Sequence, residues 1–189
     1  MELMETFAEV IKKYRDTKNI EIEFRLGKVN HGTFDTNVGQ KSFERILKGL
    51  LKYKEWEKVT ESEDEVFYWS NGVRCIYNGN DSVYQKKTKI VTKDHTFSPL
   101  DIRLSVAQEI PVKDEDEDAQ RSVTRKRWSF LRKNVRIDMT IVTGQSYDKD
   151  CEDVNRYQVE LEVLDASSDQ KIYSAVHKII NLTSLLRSP

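Results

Sequence analysis

Two cysteines in 189 residues, Cys75 and Cys151, are too few and too far apart for a disulfide scaffold or a cysteine-rich zinc site. That usage is expected of a reduced, intracellular protein, cytoplasmic or nuclear. Histidine is equally scarce, and His31, His95 and His177 share neither a helical nor a metal-ligand spacing, so none is a candidate catalyst or ligand. Net charge is nearly absent: 31 Lys and Arg stand against 32 Asp and Glu. No global field therefore draws the chain to nucleic acid or a membrane surface, and any polyanion must be met locally. No apolar run approaches bilayer-spanning length, and the opening METFAEVIKKYRD mixes acid with base, so neither secretion nor a membrane role is expected. Repeats and interdomain linkers are missing too, which leaves residues 1–189 as one expected domain, long enough to bury its own core.

What the chain does have is charge, 33% of its residues against 38% hydrophobic. That balance fits disorder, a heavily solvated surface, or charge placed inside. The spacing of apolar residues decides among these. Leu3, Met4, Phe7, Val10, Ile11 and Tyr14 recur at helical intervals over residues 1–15, as do Phe43, Ile46, Leu47, Leu50 and Leu51 over Ser42–Tyr53. A closing helix, capped from Asp165–Ser168, carries Ile172, Val176, Ile179, Ile180 and Leu182. Between them lie strand-like segments at Asn19–Lys28, Trp56–Thr60, Val66–Trp69, Val73–Tyr77, Ser82–Thr92, Asp101–Ile110, Ser122–Leu131, Val135–Thr143 and Arg156–Leu164. Turn signals at Asn71-Gly72 and Asn78-Gly79 mark hairpins. The acidic PVKDEDEDAQR and the stretch GQSYDKDCEDVN read as surface loops. Eight or nine strands against three helices predict an α+β, mainly β, antiparallel barrel or sheet flanked by helices.

The strand faces carry the chemistry. Residues two apart share a face, so Glu21, Glu23 and Arg25 stand together opposite Ile20, Ile22, Phe24 and Leu26. Near the other end, Gln158, Glu160 and Glu162 oppose Tyr157, Val159, Leu161 and Val163. Arg136 and Asp138 share a face, as do Arg103 and Glu109, and Arg125 and Arg127; Arg74 alternates with Val73 and Cys75. One such face is the ordinary wet side of an antiparallel strand. Two Glu-x-Glu strands plus several Arg-bearing ones, with three helices needing apolar surface to cover, fit helices outside and charges inside. A closed eight-stranded barrel has room for one small ligand. A charged lumen is tolerable only if paired, hydrated or meeting a ligand. Carboxylate clusters suit magnesium or manganese, and Arg forks suit phosphate oxygens. In VYQKKTKI, Lys86 and Lys87 point to opposite faces, so one of them lines the lumen.

EIEFRLG near the start and YQVELEV near the end resemble the paired glutamate strands of the triphosphate tunnel metalloenzymes. SPLDIRLSVAQE, RKRWSF and VRIDMT resemble, within that superfamily, the RNA triphosphatases of mRNA capping from fungi, protozoa and large DNA viruses. The resemblance implies a closed eight-stranded tunnel that hydrolyses the γ-phosphate of triphosphate-ended RNA with Mg2+ or Mn2+. It implies Glu21, Glu23 and Glu162 as metal ligands. Glu160 and Glu109 would hold water, with Arg127 as a third catalytic group. Arg25, Arg74, Arg103, Arg125, Arg127, Arg136 and one of Lys86 and Lys87 would form the basic wall, with Asp138 bracing a neighbour. Gln158 departs from the family pattern, where a third acid is common, and is assigned as an amide outside the coordination sphere. Tripolyphosphate or a nucleoside triphosphate is the alternative substrate, and a non-catalytic polyphosphate- or RNA-binding barrel the more distant one. A guanylyltransferase is the implied partner.

Overall fold

The computed structural model describes residues 2–115, 118–144 and 155–187. Its elements in chain order are α1 (Glu2–Tyr14), β1 (Ile20–Asn30), β2 (Thr33–Asp35), α2 (Gln40–Lys52), β3 (Lys58–Tyr68), β4 (Val73–Tyr77), β5 (Ser82–His95), β6 (Asp101–Pro111), β7 (Arg121–Arg132), β8 (Val135–Gly144), β9 (Arg156–Val163) and α3 (Asp169–Ser184). Alternation makes the long strands two-faced, and antiparallel pairing in the order β1-β6-β5-β4-β3-β7-β8-β9, with β9 returning to β1, closes eight of them into a barrel. Closure removes the unpaired edges an open sheet would expose.

The apolar faces of β1, β6, β8 and β9 turn outward. Phe24, Leu26, Ile102, Leu104, Met139 and Leu161 are fully buried there with Phe7 and Ile11 of α1, Phe43 and Ile46 of α2, and Ile172 and Ile179 of α3. Burying those side chains is the main stabilising term, at about 1.5–3 kcal/mol each. The helices are placed by this demand. Helix α3 starts where Ser168 Oγ accepts from the Lys171 backbone N–H at 3.3 Å, satisfying one of the donors left over in the first turn.

Two elements differ from the sequence-based segmentation. Trp56–Thr60 and Val66–Trp69 were expected as separate strands, but β3 runs unbroken through the acidic residues between them, because Glu61–Glu65 all have cross-strand partners on β7. Strand β2 was not expected. It is a three-residue annex to the end of β1, formed where His31 and Gly32 turn the chain with positive φ. Gly27 admits it: a Cβ there would stand 2.1 Å from the Asp35 carbonyl oxygen and 2.6 Å from the Phe34 ring. Gly27→Ala is therefore expected to unseat β2 and lower the melting temperature; an unchanged melting curve would show that β2 moves aside without cost. The expected loop over Gly144–Asn155 falls, for residues 145–154, outside the described residues, as does Cys151. Of the acidic loop, Glu115 accepts from Asn71 Nδ2 at 2.8 Å.

Candidate functional site

Because the apolar faces look outward, the charged faces converge. They line a cavity of about 900 Å³ inside the barrel. Among the described residues its wall carries eight cationic side chains (Arg25, Arg74, Lys87, Arg121, Arg125, Arg127, Arg136, Arg156) and six carboxylates (Glu21, Glu23, Glu109, Asp138, Glu160, Glu162). The excess is positive, so this lumen attracts anions although the whole chain has a formal charge of −1.

The groups are interleaved. Arg25 sits between two buried acids, donating to Glu23 and lying 3.0 Å from Glu160. Lys87 bridges Glu21, Glu23 at 3.8 Å and Glu109 at 3.4 Å, and Arg74 donates to Glu109 at 2.5 Å. Arg136 spans Asp138 at 3.0 Å and Glu162. Asp138 Oδ1 also accepts from the Ser129 hydroxyl at 2.6 Å. Arg127 donates to Thr140 Oγ1 at 3.1 Å and lies 3.7 Å from Asp138 and 4.0 Å from Glu160. Arg125 makes a two-pronged contact with Asp64, at 2.6 and 2.8 Å.

Strand register explains this order. Glu23 is directly opposite Glu162 on β9, Arg25 is opposite Glu160, and Glu162 is opposite Arg136 on β8. Directly paired side chains stand about 4.5–5.5 Å apart at Cβ. Acids are thus forced together with cations as spacers. Burial pushes the Glu23 carboxyl up to about 7, helped by the charge of Glu160 and opposed by Arg25 and Lys87. Burial also raises Glu162; Arg136 opposes this, while Glu21, Asp138 and Glu109 add to it. Glu160 goes the other way: burial would raise it, but Arg25, Arg127, Lys87 and Arg125 together hold it below the usual carboxylate range. One acid of the cluster is thereby kept ionised while its neighbours resist ionisation.

The raised Glu23 value has a sign that can be tested. A group easier to protonate in the folded state lends stability that is complete below its ordinary value of 4.5 and lost as pH rises through about 7. Glu23→Gln, neutral at every pH, is expected to melt above the wild type in chelator-treated buffer at about pH 8, with the gap closing as pH falls from about 7 to 4.5. A gap independent of pH would contradict this.

Of the residues singled out in the sequence, Glu21, Glu23, Arg25, Arg74, Lys87, Glu109, Arg125, Arg127, Arg136, Asp138, Glu160 and Glu162 all line the cavity. Lys87 rather than Lys86 faces inward; Lys86 is exposed, and its backbone pairs with Val73 and Ile110. Arg103 shares the inner-face parity of Glu109, yet it is not part of the cavity wall. Farther along the tilted strand, its guanidinium is held by Asp94 at 2.6 and 2.8 Å and lies over the Phe34 ring at 4.6 Å. Gln158 is on the wall, its amide donating to Thr36 Oγ1 at 3.2 Å. Asp64, Tyr68, Arg121, Thr140 and Arg156 also belong to the site, beyond the residues that the sequence motifs single out. Asp64 and Tyr68 could have been found by carrying the alternation through the whole of β3.

A family model described as mRNA capping enzyme, beta chain, matches residues 80–183. The chain belongs to this family. No curated protein sequence matches it. Among solved structures, it is similar to S. pombe Pct1 RNA triphosphatase in complex with the Spt5 CTD, with a TM-score of 0.83 at 15% identity over 97% of this chain and 92% of that one. Another structure of S. pombe Pct1 gives 0.80 at 16%, covering 99% and 93%. The RNA triphosphatase domain of the mimivirus mRNA capping enzyme gives 0.70 at 16%, covering 98% and 96%. At those identities the likeness is one of fold, and this member of the capping-enzyme beta-chain family has the triphosphate tunnel fold of RNA triphosphatases.

Proposed function

We propose that the protein is a divalent-cation-dependent RNA 5′-triphosphatase, converting a triphosphate end to a diphosphate end and orthophosphate in the first step of cap formation. The observation that carries this reading is the lumen itself, a closed barrel whose inward charges suit both halves of a metal–triphosphate ligand. Triphosphate oxygens match the forks of Arg74, Arg125, Arg127 and Arg136 and the point charge of Lys87.

Glu21, Glu23 and Glu162 fit magnesium or manganese by their chemistry. They are hard oxygen donors, Glu23 and Glu162 face each other across the β1–β9 pair, and burial makes both resist ionisation against the pull of Arg25, Lys87 and Arg136. Among the described residues no three such groups yet surround one point, because each is drawn to Lys87, Arg25 or Arg136. When bound there, the cation would neutralise developing charge on the phosphate oxygens.

The chain's own residues would do the rest. Glu160, kept ionised by its arginines, orients water behind the γ phosphorus and takes its proton, while Glu109, beside Arg74 and Lys87, holds a second polar position. The water oxygen bonds to the γ phosphorus as the bond to the β–γ bridging oxygen breaks, and the electron pair leaves on the diphosphate end. Arg127 and Arg136 stabilise the spread-out negative charge, with Asp138 holding both guanidinium groups in place. A guanylyltransferase, which needs a diphosphate end as acceptor, is the proposed partner, and the proposed location is intracellular. No helix among the described residues is long and apolar enough to cross a membrane.

The test is a comparison of phosphate release from triphosphate-ended RNA, a nucleoside triphosphate and tripolyphosphate at equal concentrations with Mg2+ or Mn2+. Preference for RNA is expected. Preference for tripolyphosphate would move the assignment to the small-substrate alternative, and binding without hydrolysis would leave a polyphosphate-binding barrel.

A further inference from the structure

The two ends of the cavity differ in a way that phosphate binding does not explain. Near the start of β8 and the ends of β6 and β9, the wall is Arg136, Glu109 and Glu162, with Glu21 close by. At the opposite end of β9 it is Arg156, with Arg121 from β7 and Tyr68 from β3, the second and third strands along the wall from β9. Tyr68 is the last residue of β3 and lies directly across from Arg121, the first of β7. The Arg121 guanidinium stands 4.3 Å from the centre of the Tyr68 ring. Beside them, Val123 and Val142 line the wall with apolar carbon. The Gln120 backbone N–H donates to the Tyr68 carbonyl at 2.9 Å, which fixes the strand end that presents the ring.

Phosphate can accept a hydrogen bond from the Tyr68 hydroxyl, but the ring face contributes nothing to holding it. An aromatic ring with a guanidinium group over its face is the kind of surface on which unpaired bases stack in single-stranded nucleic acid sites. The orientation of the substrate follows from the carboxylates. The γ end must lie toward Glu21, Glu23 and Glu162, so the nucleoside end points the other way along β9. The six steps from Glu162 back to Arg156 cover about 20 Å along the strand at about 3.3 Å each, or roughly 15 Å along the axis of a barrel whose strands tilt by about 40°, farther than a triphosphate reaches, and the cavity therefore extends past the phosphates.

We propose that Tyr68 and Arg121 form a stacking platform for the first nucleobase of the substrate, with Arg156 alongside for the phosphate that follows it. This deepens the triphosphatase reading and rests on it for the direction of the substrate. The platform selects a nucleic acid end over bare tripolyphosphate without reading its sequence, since every base offers a face.

Two measurements test it on the full chain. In steady-state assays with a divalent cation, Tyr68→Ala is expected to lower kcat/KM for triphosphate-ended RNA by about tenfold, mainly through KM, while kcat/KM for tripolyphosphate changes less than about twofold. Tyr68→Phe, which keeps the ring, is expected to behave as the wild type. The second measurement uses RNA whose first base is 2-aminopurine and whose β,γ bridge is an imido group. Its fluorescence is expected to be quenched by the wild type and Tyr68→Phe, and not by Tyr68→Ala. Equal losses on RNA and tripolyphosphate, or quenching that survives Tyr68→Ala, would overturn the platform. Because the quenching needs no turnover, an inert wild type that still quenches through Tyr68 would defeat the triphosphatase reading and leave the platform standing.

Discussion

Glu23→Ala and Glu162→Ala are each expected to reduce γ-phosphate release from triphosphate-ended RNA by about 100-fold or more, while the protein melts at or above the wild-type temperature. The two halves of that result have one cause. Both carboxyls are raised by burial, and each has other acids close by, Glu160 for Glu23 and Glu21 for Glu162. Removing either relieves repulsion in the free protein and takes away an oxygen donor for the cation. Arg25 keeps Glu160 after the first substitution, and Arg136 keeps Asp138 after the second, so no cation is left stranded. Phosphate release and thermal melting, measured on the same preparations, check both halves. Full activity in either variant would remove these glutamates from the metal-binding role, and a collapsed fold would show that they serve as structural ion-pair partners instead.

Arg25→Ala is expected to do the reverse, with the largest stability loss of any single lumen substitution, about 3–5 kcal/mol. Its guanidinium stands between Glu23, which is 6% exposed, and Glu160, which is 9% exposed. Deleting it leaves two neighbouring buried carboxylates with no close ion pair, the nearest cations being Lys87 at 3.8 Å from Glu23 and Arg127 at 4.0 Å from Glu160, with Arg125 acting from farther off. Urea denaturation at neutral pH measures the loss, and lowering the pH should recover part of it by protonating the pair. Arg25→Lys is expected to recover only part, since one ammonium cannot reach both acids as the fork does. A loss under about 1 kcal/mol would mean that water, rather than Arg25, solvates these carboxylates.

Much of this was legible in the sequence because barrel strands obey a period of two. Writing Glu21, Glu23 and Arg25 against Ile22, Phe24 and Leu26 separates lumen from core, and the three helices require the apolar side to be the outer one. Parity fixes a side but not a height. Arg103 has the right parity and still lies outside the cavity, stacked on Phe34 of a strand too short to leave a periodic trace. The choice of Lys87 over Lys86 came from pairing: Lys87 is opposite Glu109, whose face the alternation of β6 already defines. Asp64 was hidden because ESEDE looks like a solvated turn. Once β3 is known to run unbroken, alternation puts Asp64 inside, and its pairing with β7 sets it against Arg125 there while Glu61 meets Lys126 outside. Tyr68 closes the same strand, and its meaning depends on Arg121, 53 positions away in sequence.

The most direct test of the metal–triphosphate lumen is a single product analysis. RNA labelled at both the β and γ phosphates of its 5′ end is incubated with the protein, once with Mn2+ or Mg2+ and once with a chelator. The expected result is orthophosphate from the γ position alone, a β label retained on a diphosphate end, and no release under chelation. Release that persists in chelator, loss of the β label as pyrophosphate, or an unreacted 5′ end under every metal would contradict the assignment.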